Sequence, residues 1–75
     1  MKSGLDEVMR ITYVDEDNKI KTILLYDWSD YQYDEFFFEV FRGDAINGYV
    51  PYLLIPTIHI IKVEFLTREE IGHGI

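Results

Sequence analysis

The 75-residue chain has no cysteine, only two prolines, few basic residues and no long apolar run. Each shortage excludes something. Without cysteine there is no disulfide and no thiolate metal site, and no mark of an oxidising compartment. No stretch approaches the roughly 18 apolar residues of a membrane-spanning helix, and the N-terminal residues lack the apolar core of a signal peptide. A cytoplasmic protein without membrane contact is therefore expected. Seven Lys and Arg against fourteen Asp and Glu give a net charge of −7. That argues against nucleic acid as a partner, because phosphate contacts need Lys and Arg. One Gln, two Asn and no Cys resemble the usage of a thermophile.

What is abundant is apolar and aromatic: 48% hydrophobic residues, with five Phe, six Tyr and one Trp. Such a chain folds rather than staying disordered. Its length allows one domain with a thin core, so part of the apolar surface is expected to be left for a partner.

The chain is organised around Tyr52–Leu66, YLLIPTIHIIKVEFL. Tyr52–Ile55 is continuously apolar, as in a strand covered on both faces. Ile60–Leu66 alternates, with His59, Ile61, Val63 and Phe65 on one side and Ile60, Lys62 and Glu64 on the other. Pro51 and Pro56 belong at strand ends, edges or corners, and Thr57–His59 has the length of one 3₁₀ turn. Small SH3-like and Sm-like barrels join their last two strands in this way, a likeness of fold alone.

Before this stretch, Val8–Val14 and Ile20–Asp27 alternate and flank the acidic turn Asp15–Asn18, which predicts a β-hairpin. The turn lacks the spaced oxygens and central glycine of a calcium loop of about twelve residues. Trp28–Glu35, WSDYQYDE, reads as a loop. Its rings either fold over the barrel mouth or form a contact patch. Phe36–Phe41 reads as the third strand, with Phe36, Phe38 and Val40 inward and Phe37 and Phe41 outward. Two outward Phe residues on so small a domain point to an interface. Arg42–Gly48 reads as a turn; its Arg-Gly-Asp is too short a match to carry meaning. In the tail, Thr67 and Glu70 have capping-box spacing. Glu70 and His73 are spaced like a helical metal pair but lack further ligands, so no metal site is expected.

Chemistry is sparse. Beyond the N-terminal segment Ser29 is the only serine, and no phosphate loop or nucleophile–His–acid pattern stands out. No catalytic residue and no cofactor is assigned. His59 is in register with the apolar face, where it serves as a backbone-bonded corner residue, a general base or a phosphate contact.

Phe41–Gly43 (FRG) and Ile55–Val63 (IPTIHIIKV) resemble a family of small archaeal proteins proposed to recognise cyclic-phosphate RNA ends. That family carries His-Arg-Gly and then Ile-Pro-x-His-Arg-Ile. Arg42, Gly43, Ile55, Pro56 and Ile60 match, Phe41 stands where the family has its first His, and Ile58-His59 stands at its His-Arg. The resemblance covers the C-terminal half and implies RNA-end recognition.

The expectation is a single all-β domain, a five-stranded antiparallel barrel or roll of SH3-like or Sm-like type with a 3₁₀ turn before the last strand. Residues 1–6 and 67–75 are expected to be loose ends. The expected function is a non-catalytic interaction module that self-associates, or binds another protein, through Trp28, Tyr31, Phe37, Phe41 and Tyr52. The alternative is an RNA- or phosphate-end-binding domain using Arg42, His59 and Lys62. A small enzyme built on His59 and a carboxylate is the third class.

Overall fold

A computed structural model describes residues 7–73. It contains strands β1 (Glu7–Val14), β2 (Ile20–Leu25), β3 (Asp30–Tyr33), β4 (Phe37–Asp44), β5 (Gly48–Pro56) and β6 (Ile60–Thr67). A 3₁₀ turn at Thr57–His59 joins the last two strands, and a short helix α1 (Arg68–His73) follows. The strands form two three-stranded antiparallel sheets, ordered β2-β1-β6 and β3-β4-β5. This is a β-rich domain, but not a closed five-stranded barrel.

The first hairpin follows its sequence pattern. Met9 pairs with Leu25 and Ile11 with Ile23, so these side chains share the inner face while Arg10 and Thr12 point outward. In the turn, the Asp15 carboxylate accepts the amides of Asp17 and Lys19, both at 2.9 Å, and Asn18 takes a left-handed φ of 62°. An Asp–Asn turn supplies both features.

The segment expected to be a loop contains β3. Tyr31 lies opposite Val40 and Tyr33 opposite Phe38, so cross-strand packing on β4 makes a strand of four residues rich in polar groups. The four preceding residues carry the chain from one sheet to the other. Within them Trp28 is only 4% exposed and its indole N–H donates to the Glu7 carbonyl at 3.0 Å. It closes the core formed by Met9, Ile11, Leu25, Phe38, Val40 and Ile55.

Two register shifts reshape the expected faces. In the β1–β6 ladder, Thr12 faces Lys62 and Tyr13 faces Ile60, so Ile61 is the extra residue. The bulge turns Ile61 outward, 51% exposed, and packs Ile60 against the core with Val63. His59 is exposed and does not continue that inner face. In the β4–β5 ladder, Val40 faces Leu53 and Phe41 faces Pro51, which makes Tyr52 the extra residue. Phe36, expected inside, lies in the bend before β4 and is exposed. The Asp34 carboxylate caps this bend by accepting the amides of Phe36 (2.7 Å) and Phe37 (2.8 Å).

The β4–β5 hairpin begins later than expected, with strand pairing through Asp44 and Gly48. Asp44 accepts the Ile46 and Asn47 amides at 2.9 and 2.6 Å, so the acid of the Arg-Gly-Asp tripeptide serves the turn. Thr67 ends β6 and starts α1 through a reciprocal capping box. The Thr67 amide donates to Glu70 at 2.7 Å and the Glu70 amide to the Thr67 hydroxyl at 3.0 Å. Arg68 anchors the helix on the Tyr26 carbonyl at 2.9 Å. Residues 67–73 are thus strand end and helix rather than loose chain. Residues 1–6 and 74–75, also expected to be loose, lie outside the described residues. No helix among the described residues is long and apolar enough to cross a membrane.

Candidate functional site

The described residues bury eight hydrophobic side chains and leave thirteen large ones exposed. An interaction surface is therefore the feature to locate. Register assigns the exposed side chains to faces, because residues two apart on a strand share one.

The outer face of the β3-β4-β5 sheet carries Phe37, Glu39 and Phe41 from β4. Glu39 lies opposite Leu54 and Gln32, and Phe41 opposite Pro51 and Asp30. Phe37 is 47% and Leu54 54% exposed. They line a shallow depression of about 410 Å³ with Gln32, Asp34 and Glu39. Gln32 donates to Glu39 at 3.2 Å. This face has apolar patches set among acids and an amide.

On the other side of β3, an aromatic groove of about 310 Å³ separates it from β6. Tyr31, Tyr33 and Phe38 form one wall, and Ile60, Val63 and Phe65 the other. Tyr31 lies at the centre of a ring cluster, 5.4 Å from Phe65, 5.7 Å from Phe38 and 6.0 Å from Trp28 between centroids. Tyr33 stacks on Tyr31 with an interplanar angle of 9°.

A third cleft, of about 460 Å³, lies between the acidic turn Asp15–Asp17 and the end of β5, with His59 on its border. The amides of Lys19 and Asp17 hold the Asp15 carboxyl below the usual carboxylate range, so this wall is anionic near neutrality. Among the described residues no group of His, Asp and Glu is placed to hold a metal ion. The side chain of His73 lies outside the described residues.

The residues singled out in the sequence are dispersed. Phe37 and Phe41 share the outer face, but Tyr31 lines the groove on the opposite side. Trp28 is a core residue, which removes it from the surface as an interface residue. Tyr52 is half-buried at the β5 bulge, with the Arg42 guanidinium 5.2 Å from its ring centroid. Arg42, His59 and Lys62 do not form one site. Arg42 lies five residues along β4 from Phe37, the partner of Pro56, which puts it roughly 16 Å from the corner that carries His59. Lys62 stands opposite Thr12 on the outer face of the other sheet, 3.8 Å from Glu64.

Sequence reading missed Tyr33, Leu54 and Phe65 as surface residues. Leu54 had a legible signal, since it alternates with the inward Leu53 and Ile55. Tyr33 and Phe65 become neighbours only when the two sheets meet. No protein-family model, curated protein or solved structure matches the chain.

Proposed function

We propose that the chain is a small non-catalytic interaction module that associates with itself through the outer face of the β3-β4-β5 sheet. The observation that carries this reading is the adjacent exposure of Phe37 and Leu54, which line one depression on the sheet face beside Glu39 and Asp34. Burying apolar surface is worth about 25 cal/mol per Å², and each ring or branched side chain left half in water forgoes part of that. A second copy laid on the same patch recovers it and gives a two-fold interface. We also propose that the two sheets are halves of a small SH3-like or Sm-like barrel whose shared strand is broken at Tyr26–Ser29. The 3₁₀ corner and the short β2–β3 link support this, because strands switch sheets at such bends. The lack of cysteine supports a cytoplasmic location.

The test is the mass in solution by light scattering after size exclusion, at low and high salt. A dimer or larger assembly is expected. It should persist or strengthen at high salt, because salt screens the repulsion between copies of charge −7. The Phe37→Ser/Leu54→Ser double variant should be monomeric with unchanged circular dichroism. A monomeric wild type under all conditions overturns the reading.

A further inference from the structure

The hairpin between β4 and β5 turns through Ala45, Ile46 and Asn47, and Asn47 is followed directly by Gly48. An asparagine before a glycine carries a reaction of its own. The backbone nitrogen of the following residue can attack the side-chain carbonyl carbon and close a five-membered ring, and a glycine has no Cβ to obstruct that approach. The other asparagine, Asn18, precedes Lys19, whose side chain does obstruct it. Asn47 and Gly48 are both exposed. Gly48 has a φ of 89°, and a Cβ placed on it would meet nothing within 4 Å, so the space beside its α-carbon is open. The Asn47 side chain is held from the other direction. One oxygen of the Asp44 carboxylate accepts the Asn47 backbone amide at 2.6 Å, and the other accepts Nδ2 of the Asn47 side chain at 3.2 Å.

We infer that Asn47 is a site of spontaneous deamidation, and that Asp44 slows the reaction by tethering the side-chain amide. The Gly48 nitrogen loses its proton to hydroxide and bonds to Cγ of Asn47. The Cγ–Nδ2 bond then breaks, and ammonia leaves with a proton taken from water, which regenerates the hydroxide. Water opens the cyclic imide at either of its carbonyls and leaves aspartate or isoaspartate at position 47. One water is consumed and one ammonia released, and nothing is oxidised or reduced. Rotation of the side chain into line with the Gly48 nitrogen breaks the Nδ2 bond to Asp44, so the folded turn holds the reaction back. Either product sets a carboxylate where a donor faced Asp44, and like charges so placed repel. Isoaspartate also adds a methylene to the backbone beside Gly48, the last rung of the β4–β5 ladder. The change therefore loosens the tip of the hairpin.

The test is peptide-mapping mass spectrometry of the full chain, with released ammonia assayed alongside, during incubation at mildly alkaline pH, which favours loss of the Gly48 amide proton. The fragment with Asn47 should gain the mass difference between an amide and an acid, while the fragment with Asn18 stays unchanged. Urea should speed the change at least about fivefold, because the unfolded chain lacks both bonds to Asp44. Asp44→Ser keeps a hydroxyl for the turn amides but has no second oxygen for Nδ2. It should speed the change in the folded protein about fivefold, the weight of one hydrogen bond to a charged group, and match the wild type in urea. Gly48→Ala, whose Cβ has room, should suppress the change with and without urea. Amide exchange at Ile46 and Asn47 is followed in the same samples, and a rate that rises only in step with that exchange overturns the tether. A folded Asp44→Ser protein reacting at the wild-type rate also overturns it. If Asp44→Ser does not fold, the wild type decides, since equal rates with and without urea deny the tether. Reaction at Asn47 no faster than at Asn18 overturns the site itself.

Discussion

Arg10 and Glu64 face each other across the β1–β6 ladder and form two parallel hydrogen bonds, at 2.8 and 3.0 Å. The pair ties the first strand to the last on the outer face of the sheet. The Arg10 hydrogen bond, ahead of the charges of Arg10 and Lys62, holds the Glu64 carboxyl below its ordinary range. A depressed acid stabilises the fold above its unfolded value, about 4.3, and loses that contribution as pH falls through the folded value. Glu64→Gln should therefore lower the thermal midpoint by a few degrees at neutral pH. Because exposed pairs contribute modestly, the gap should be small and should close as pH falls through the folded value of Glu64. Thermal melts of both proteins from neutral to acid check this; a gap independent of pH would deny the pair its role.

Trp28 joins the two sheets. Trp28→Ala should cost about 3–5 kcal/mol, most of the stability of a domain this small. Trp28→Phe keeps a ring in the core but leaves the Glu7 carbonyl without its donor, at a cost of about 1–3 kcal/mol. Urea unfolding followed by circular dichroism orders the three proteins, since the variants lack the fluorophore.

Gly43 and Gly48 both have positive φ, 124° and 89°, yet they differ in the space around them. A Cβ on Gly43 would collide with the Gly48 carbonyl oxygen, whereas a Cβ on Gly48 meets nothing. Gly43→Ala should therefore cost about 3 kcal/mol or more, against about 1 kcal/mol for Gly48→Ala. Equal effects in chemical denaturation would contradict the collision.

Thr67→Ala removes one half of the capping box. A six-residue helix has little stability of its own, so the loss of about 1 kcal/mol should appear as faster amide exchange over Arg68–Ile71. The two sheets should keep their protection.

Much of the fold was legible where one local rule acted alone. Alternation and an Asp-rich turn located the first hairpin, Pro56 located the 3₁₀ corner, and Thr67 with Glu70 located the cap. β3 was not legible, because Asp30–Tyr33 carries turn-like polarity and becomes a strand only against Val40 and Phe38. The start of β6, Ile60 and Ile61, was misread for a different reason, whereas Val63 and Phe65 face inward and Lys62 and Glu64 outward as alternation requires. Strict alternation presumes an unbroken register, and the extra residue Ile61 inverts the pattern on its N-terminal side. Of the candidate surfaces, Phe37 and Phe41 on the outer face and Tyr31 in the groove were legible. The groove joins Tyr31 and Tyr33 to Phe65, more than thirty residues further along the chain, and no local spacing announces such a meeting.

The pairing of β1 with β6 has a consequence for the order of events during synthesis. The strand made first has Leu25 and Ile23 as early neighbours, but its other edge has to wait for the strand made last. Until β6 emerges, Met9 and Ile11 sit in an unfinished sheet with one open edge, and Trp28 lacks Phe65. Closing so long a loop is entropically slow. The nascent chain therefore passes through a period of exposed edges and aromatic surface, a state prone to pairing with other chains. The acids that crowd its turns then keep unfinished copies apart by charge repulsion.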